Sequence, residues 1–115
     1  MQVYSWEKVK KEALNEKLAR KFISGEKITM AQIFLAKDGV VPFHKHENEQ
    51  FSSVLSGALK FELEGKELVL RAGEVLHIPS GVPHRVTALE ESSALDVFSP
   101  VRSDWLTGQD DYLRR

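Results

Sequence analysis

Polar and apolar residues alternate in short runs along this chain, and turns interrupt the runs at close intervals. The clearest run is Ala58 to Leu63, with Leu59, Phe61 and Leu63 on one face and Lys60 and Glu62 on the other. Residues two apart in a strand share a face, so this segment reads as a strand with one buried side. Glu64-Gly65 turns the chain, and Lys66 to Arg71 returns with Leu68 and Leu70 inward, which predicts a hairpin. Ile28 to Ala36 is rich in β-branched and aromatic residues and reads as another strand. Gln50 to Ser56, Val75 to Ile78, His84 to Leu89 and Ala94 to Ser99 add four more. Ser24-Gly25-Glu26 and Lys37-Asp38-Gly39 are turn signals, and Pro100 ends the last strand. Roughly eight or nine short strands at intervals of about 8–12 residues predict an all-β antiparallel barrel or jelly roll.

The two ends read differently. Trp6 to Leu18 carries Lys and Glu around Val9, Ala13 and Leu14, which suits a short amphipathic helix or an irregular arm. The tail from Ser103 to Arg115 suits a short helix with Ser103 or Asp104 as its N-cap. The expected organisation is one domain over residues 1–115, with an arm to about 26, a barrel over about 27–100 and a tail over 101–115. An open barrel has edge strands that must be paired or covered. The apolar residues of Lys21-Phe22-Ile23 in the arm suggest pairing with a neighbour, hence a homodimer.

Composition narrows the function. The 115 residues are 42% hydrophobic and 29% charged, enough for one modest core. A net charge of −1 provides no basic field for phosphates, so nucleic acid is not the expected partner. No apolar run approaches the roughly 20 residues that span a bilayer. The opening Met-Gln-Val-Tyr-Ser-Trp-Glu-Lys lacks the apolar stretch of a secretory signal, so the expected location is the cytoplasm. There is no cysteine, which removes disulfides and thiolate metal sites.

Three of the four histidines fall in one patterned region. His44 and His46 are two apart, Gln50 follows in extended sequence, and His84 opens a strand after the turn Pro79-Ser-Gly81-Val-Pro83. Neutral imidazoles are the commonest nitrogen ligands for divalent transition metals, and an amide oxygen can complete the set. The expected cofactor is therefore one divalent ion (Ni, Zn, Fe, Mn or Co) on His44, His46, Gln50 and His84. His77 lies outside this pattern and reads as strand filler or a polar lining residue. Because Gln50 is neutral, the ion keeps its full charge and is the better Lewis acid toward anionic oxygen.

The spacings of this region resemble the two motifs of the cupin superfamily. In Gly-x5-His-x-His-x(3,4)-Glu-x6-Gly, His44, His46 and Gly57 match, Gln50 stands at the glutamate and Gly39 is one residue too close. In Gly-x5-Pro-x-Gly-x2-His-x3-Asn, Gly73, Pro79, Gly81 and His84 match, and Ala88 replaces the asparagine. The resemblance implies a single-domain cupin (RmlC-like) jelly-roll β-barrel.

The last strand adds Asp96-Val-Phe98, followed by Arg102. Asp96 and Phe98 share a face, and Arg102 sits just past the strand end. A carboxylate, a ring and a guanidinium there could act as acid/base, apolar wall and carboxylate anchor. The alternative is a hydrogen-bonded turn aspartate, a core ring and a solvated arginine. A buried aspartate without a partner is costly, which favours the functional role. Taken with His44, His46, Gln50 and His84, the set resembles the KdgF family of pectin-degradation cupins. That resemblance implies conversion of 4,5-unsaturated monouronates, released by polysaccharide lyases, to their linear ketonised form. A small acidic sugar is thus the expected partner. The competing expectations are a metal-dependent dioxygenase of the quercetinase-like or small-thiol type, and a non-catalytic sugar- or effector-binding cupin.

Overall fold

The computed structural model describes residues 1–115, and the alternating runs form ten strands. They are β1 (Glu12–Asn15), β2 (Leu18–Ser24), β3 (Thr29–Leu35), β4 (Val40–His44) and β5 (Glu49–Ser56). Then come β6 (Ala58–Leu63), β7 (Lys66–Arg71), β8 (Val75–Ile78), β9 (His84–Ala88) and β10 (Ser92–Ser99). A six-stranded sheet runs in the order β1-β2-β3-β10-β5-β8, and a four-stranded sheet in the order β4-β9-β6-β7. Every pairing is antiparallel. The two inner faces meet in one apolar core, to which Ala31, Val54 and Phe98 contribute from one sheet and Leu59, Phe61 and Val86 from the other. This is the jelly roll that the turn spacing predicts.

The β6–β7 hairpin follows the expected register, Leu59 opposite Leu70 and Phe61 opposite Leu68. Its turn is built from Glu64 and Gly65, both at positive φ, the geometry that matches strand twist in a two-residue loop. Leu70 is buried, but Leu68 is exposed, because it lies far out on an edge strand.

The N-terminal expectation needs correction. Only Trp6–Lys8 forms a helical turn, and a hairpin of β1 and β2 follows. β2 pairs with β3 through seven residues, so the six-stranded sheet begins well before residue 27. The pattern is hidden because the inward residue between Leu18 and Phe22 is Arg20. That guanidinium is buried against the Trp105 ring at 4.3 Å and bonded to Glu12 at 2.9 Å and Asp110 at 2.6 Å. β1 covers β2 only from Leu18 to Arg20, so Lys21-Phe22-Ile23 is paired with β3 on one side and has no strand on the other.

The tail folds as α1 (Ser103–Leu106) and a 3₁₀ turn at Asp111–Arg114. The residue at the N-cap of α1 is Arg102, one position before the expected caps. The Asp104 carboxylate instead accepts from Arg102 Nε at 3.0 Å and Nη2 at 2.8 Å.

Gly57, between β5 and β6, is held at φ +81°, where a Cβ would lie 2.3 Å from the Glu91 carbonyl oxygen. Gly57→Ala should therefore lower unfolding stability by about 2 kcal/mol or more in a urea titration. Wild-type stability in that variant would contradict this packing of the β5–β6 junction against Glu91 and Ser92.

Candidate metal centre

The site lies where the two sheets face each other. His44 at the end of β4 and His84 at the start of β9 are direct cross-strand partners. His46 follows β4 in the loop before β5. On the opposite sheet, Gln50 pairs with Phe98 and Ser52 with Asp96 across β5 and β10. The two-residue period therefore turns Gln50, Ser52, Asp96 and Phe98 toward the histidines.

Each imidazole is oriented by a backbone carbonyl two residues away. His44 Nδ1 bonds Pro42 O at 2.8 Å, His46 Nδ1 bonds Asn48 O at 3.0 Å and His84 Nδ1 bonds Val82 O at 2.8 Å. A carbonyl can only accept, so the network assigns the proton to Nδ1 and leaves Nε2 bare in all three rings. The ligand atoms of the three rings lie within 4.8 Å of one another. Burial and the neighbouring His84 push His44 down to about 3. Burial and the Arg102 charge push His46 down to about 4. Burial lowers His84 as well. All three rings are neutral at physiological pH, the form that ligates metals.

Gln50 completes the arrangement. Its amide nitrogen donates to Ser52 Oγ at 2.8 Å and lies 3.4 Å from Asp96 Oδ2, which points Oε1 toward His46 Nε2 at 3.1 Å. An amide oxygen and a bare imidazole nitrogen are both acceptors, so this contact is not a hydrogen bond. A cation between the two lone pairs would relieve their repulsion. Ligand atoms about 2.1 Å from one ion and about 90° apart would sit about 3.0 Å from each other. The donor set is therefore the right chemistry and the right size for a divalent metal.

Asp96 faces the same cavity as His44, Gln50, His84, Phe98 and Arg102. Burial pushes its carboxyl up to about 7, against the opposing hydrogen bond of Ser52 and charge of Arg102. Its Oδ1 is buried with no hydrogen-bond partner. Arg102 is not the solvated residue of the alternative reading: it is 2% exposed and lies over the rings of Phe98 at 4.7 Å and Trp105 at 4.6 Å. Asp104 takes its Nε and Nη2, and Nη2 also donates to the Tyr112 hydroxyl. His77 lies elsewhere, exposed on β8 and paired with Glu49 at 2.7 Å.

A family model described as "Cupin domain" matches residues 32–98, more than half of the chain and the whole of the site from His44 to Phe98. The chain belongs to the cupin family. This cupin is 33% identical over 98 residues to the pectin degradation protein KdgF of Dickeya dadantii (strain 3937), covering 83% of this chain and 89% of that one. It superposes on KdgF from Halomonas sp. with a TM-score of 0.84 at 26% identity, over 90% of this chain and 99% of that chain. An RmlC-like cupin from Shewanella frigidimarina NCIMB 400 gives a TM-score of 0.86 at 24% identity, over 91% and 96% of the two chains. The chain is thus a small KdgF-like cupin.

Sequence patterning missed four residues of the site. Ser52 was within reach, since it shares the Gln50 face of β5. Arg20, Asp104 and Tyr112 were not, because they enter from the N-terminal hairpin and the tail, where no periodicity ties them to the histidines. A divalent ion such as nickel or zinc should raise the melting temperature of this cupin, reversibly with a chelator. His84→Ala should abolish that rise. An equal rise in the variant would show that the ion binds elsewhere.

Proposed function

We propose that this cupin is a metal-dependent enzyme that converts 4,5-unsaturated monouronates from pectin or alginate breakdown to their linear ketonised form. The observation that carries this reading is Asp96, a buried carboxyl brought near neutrality beside both the donor set and a buried arginine. The similarity to the Dickeya dadantii pectin degradation protein supports the direction. His44, His46, His84 and Gln50 would hold one divalent transition metal, which would supply Lewis acidity toward the substrate's oxygen atoms.

The substrate is a cyclic enol ether and hemiacetal that bears a carboxylate. Opening it breaks the bond between the hemiacetal carbon and the ring oxygen and removes the hemiacetal hydroxyl proton. The enol oxygen left behind becomes a ketone when a proton is added to the adjacent alkene carbon. One proton leaves oxygen and one arrives at carbon, so a single carboxyl can serve both steps. Asp96 suits this task because a group poised near the operating pH can accept and return a proton. Arg102 would pair with the substrate carboxylate through a charge-assisted bond. Phe98 would form an apolar wall against the sugar face. A dioxygenase needs neither Asp96 nor Arg102 in particular.

Metal-loaded protein should speed the loss of ring-form unsaturated uronate and the appearance of the linear keto acid, followed by NMR. Asp96→Asn should retain the metal and lose about 10²-fold or more in turnover. Arg102→Lys keeps the charge but loses the planar fork, so it should mainly raise KM. Phe98→Ala should do less. Wild-type turnover in Asp96→Asn would remove Asp96 from the mechanism. Oxygen uptake that tracks turnover would replace this reading with the dioxygenase one.

We also infer a homodimer, supported by an apolar sheet face beside the N-terminal edge. Ile23, Met30, Val97 and Phe51 lie in one cross-strand row on the outer side of the six-stranded sheet. Phe51 is 50% exposed there, and Val75 and Leu55 are exposed beside it. Apolar faces of this kind mark interaction sites. Phe51→Glu should convert a dimer to a monomer in sedimentation equilibrium, and a monomeric wild type at micromolar concentration would contradict the dimer.

A further inference from the structure

The 3₁₀ turn at the end of the chain sits against the histidine cavity. The Tyr112 ring stacks on His44, with centroids 4.7 Å apart and planes at 26°. Its hydroxyl accepts a hydrogen bond from Arg102 Nη2. Leu113 is buried and lines the same cavity. With both residues in place the cavity measures about 50 Å³, room for a few water molecules. Pockets that hold small organic ligands start at about 300 Å³. A sugar acid therefore cannot share this cavity with Tyr112 and Leu113.

The turn is unevenly attached. Asp110 is fixed, 1% exposed and bonded to buried Arg20 at 2.6 Å. Beyond it, apart from the Arg102–Tyr112 bond, the polar ties are light. Arg114 meets Glu12 at 3.2 Å, with side chains 38% and 35% exposed. Asn15 Nδ2 donates to Leu113 O at 3.2 Å and Arg115 O at 3.3 Å. Exposed ion pairs add little to stability. Asp110 thus marks a pivot, and the two side chains that fill the cavity lie beyond it.

We propose that residues 111–115 form a lid on the ligand cavity, and that the Tyr112 hydroxyl stands in for a ligand oxygen, reserving Arg102 for a carboxylate. The sugar-acid identity of the ligand rests on the function proposed above; the lid does not. A neutral phenol holds the guanidinium less firmly than a carboxylate does, because charge-assisted bonds are roughly twice as strong. An acid can therefore displace Tyr112, whereas a neutral sugar gains too little from Arg102 to open the lid. Tyr112 becomes a specificity-determining residue, selecting for acids.

The chain has no cysteine, so Leu113→Cys places a single thiol on the lid. Val54→Cys, at a position 1% exposed in the core, is the buried control. Both full-length, metal-loaded variants would be labelled with a thiol reagent, with and without D-galacturonate or D-galactose, and binding measured by calorimetry. The expected result is that galacturonate binds, galactose does not, and galacturonate raises the Leu113→Cys labelling rate about tenfold while Val54→Cys stays protected. Galacturonate bound with no change in labelling would overturn the lid. If galacturonate does not bind, the sugar-acid reading fails, and the ligand-free rates judge the lid alone. Leu113→Cys then has to react far faster than Val54→Cys, and equal rates would overturn it. Tyr112→Phe keeps the ring stack and removes the competitor for Arg102, so galacturonate should bind about 3- to 10-fold more tightly. Weaker binding would make the hydroxyl a ligand contact and overturn its role as a stand-in.

Discussion

Lone pairs that face one another govern this structure's chemistry. Three carbonyl bonds at Nδ1 turn three bare Nε2 atoms inward, and the Ser52 hydroxyl turns the Gln50 oxygen toward one of them. Four acceptors converging in a buried space repel one another unless a cation joins them. The carbonyl bonds also keep the rings in one tautomer and orientation, as the outer partners of metal-binding histidines do. A cupin strand pair that did not bring His44 opposite His84 would lose the convergence, so the β4–β9 register is the backbone condition for the site.

The other side of the cavity is organised around two buried arginines. Trp105 lies between them, with Arg20 at 4.3 Å and Arg102 at 4.6 Å from its ring centroid. Each guanidinium pairs with an acid from the tail, Asp110 for Arg20 and Asp104 for Arg102. A buried charge without its partner is strongly destabilising, so the Arg20–Asp110 pair fixes the tail to the barrel. Arg102 also shapes the electrostatics: burial lowers His44, His46 and His84, the Arg102 charge adds to that, and the same charge opposes the burial-driven rise at Asp96. Positive charge beside a proton-carrying carboxyl and a metal donor set suits an anionic ligand.

Much of this was legible in the sequence for a definite reason. The two-residue period put Leu59, Phe61 and Leu63 on the core face and Asp96 with Phe98 on another, and pairing in the structure follows that period. The motif spacings placed His44, His46, Gln50 and His84, because each falls at a strand end or a turn whose length sets its direction. Illegible segments share a different cause. β2 buries Arg20 where alternation calls for an apolar residue, and the compensating Asp110 is ninety positions away in the chain. Tyr112 reaches His44 through the path of the tail, which no local pattern encodes. Leu68 obeys the period but stays exposed because its strand is an edge.

The central claim is that the four converging acceptors are a metal site. Anomalous diffraction from crystals of the metal-loaded protein, recorded at the absorption edge of the bound ion, tests it most directly. The account predicts one peak bonded to Nε2 of His44, His46 and His84 and to Oε1 of Gln50. A peak elsewhere, or an ion from which two or more of these side chains turn away, would contradict it.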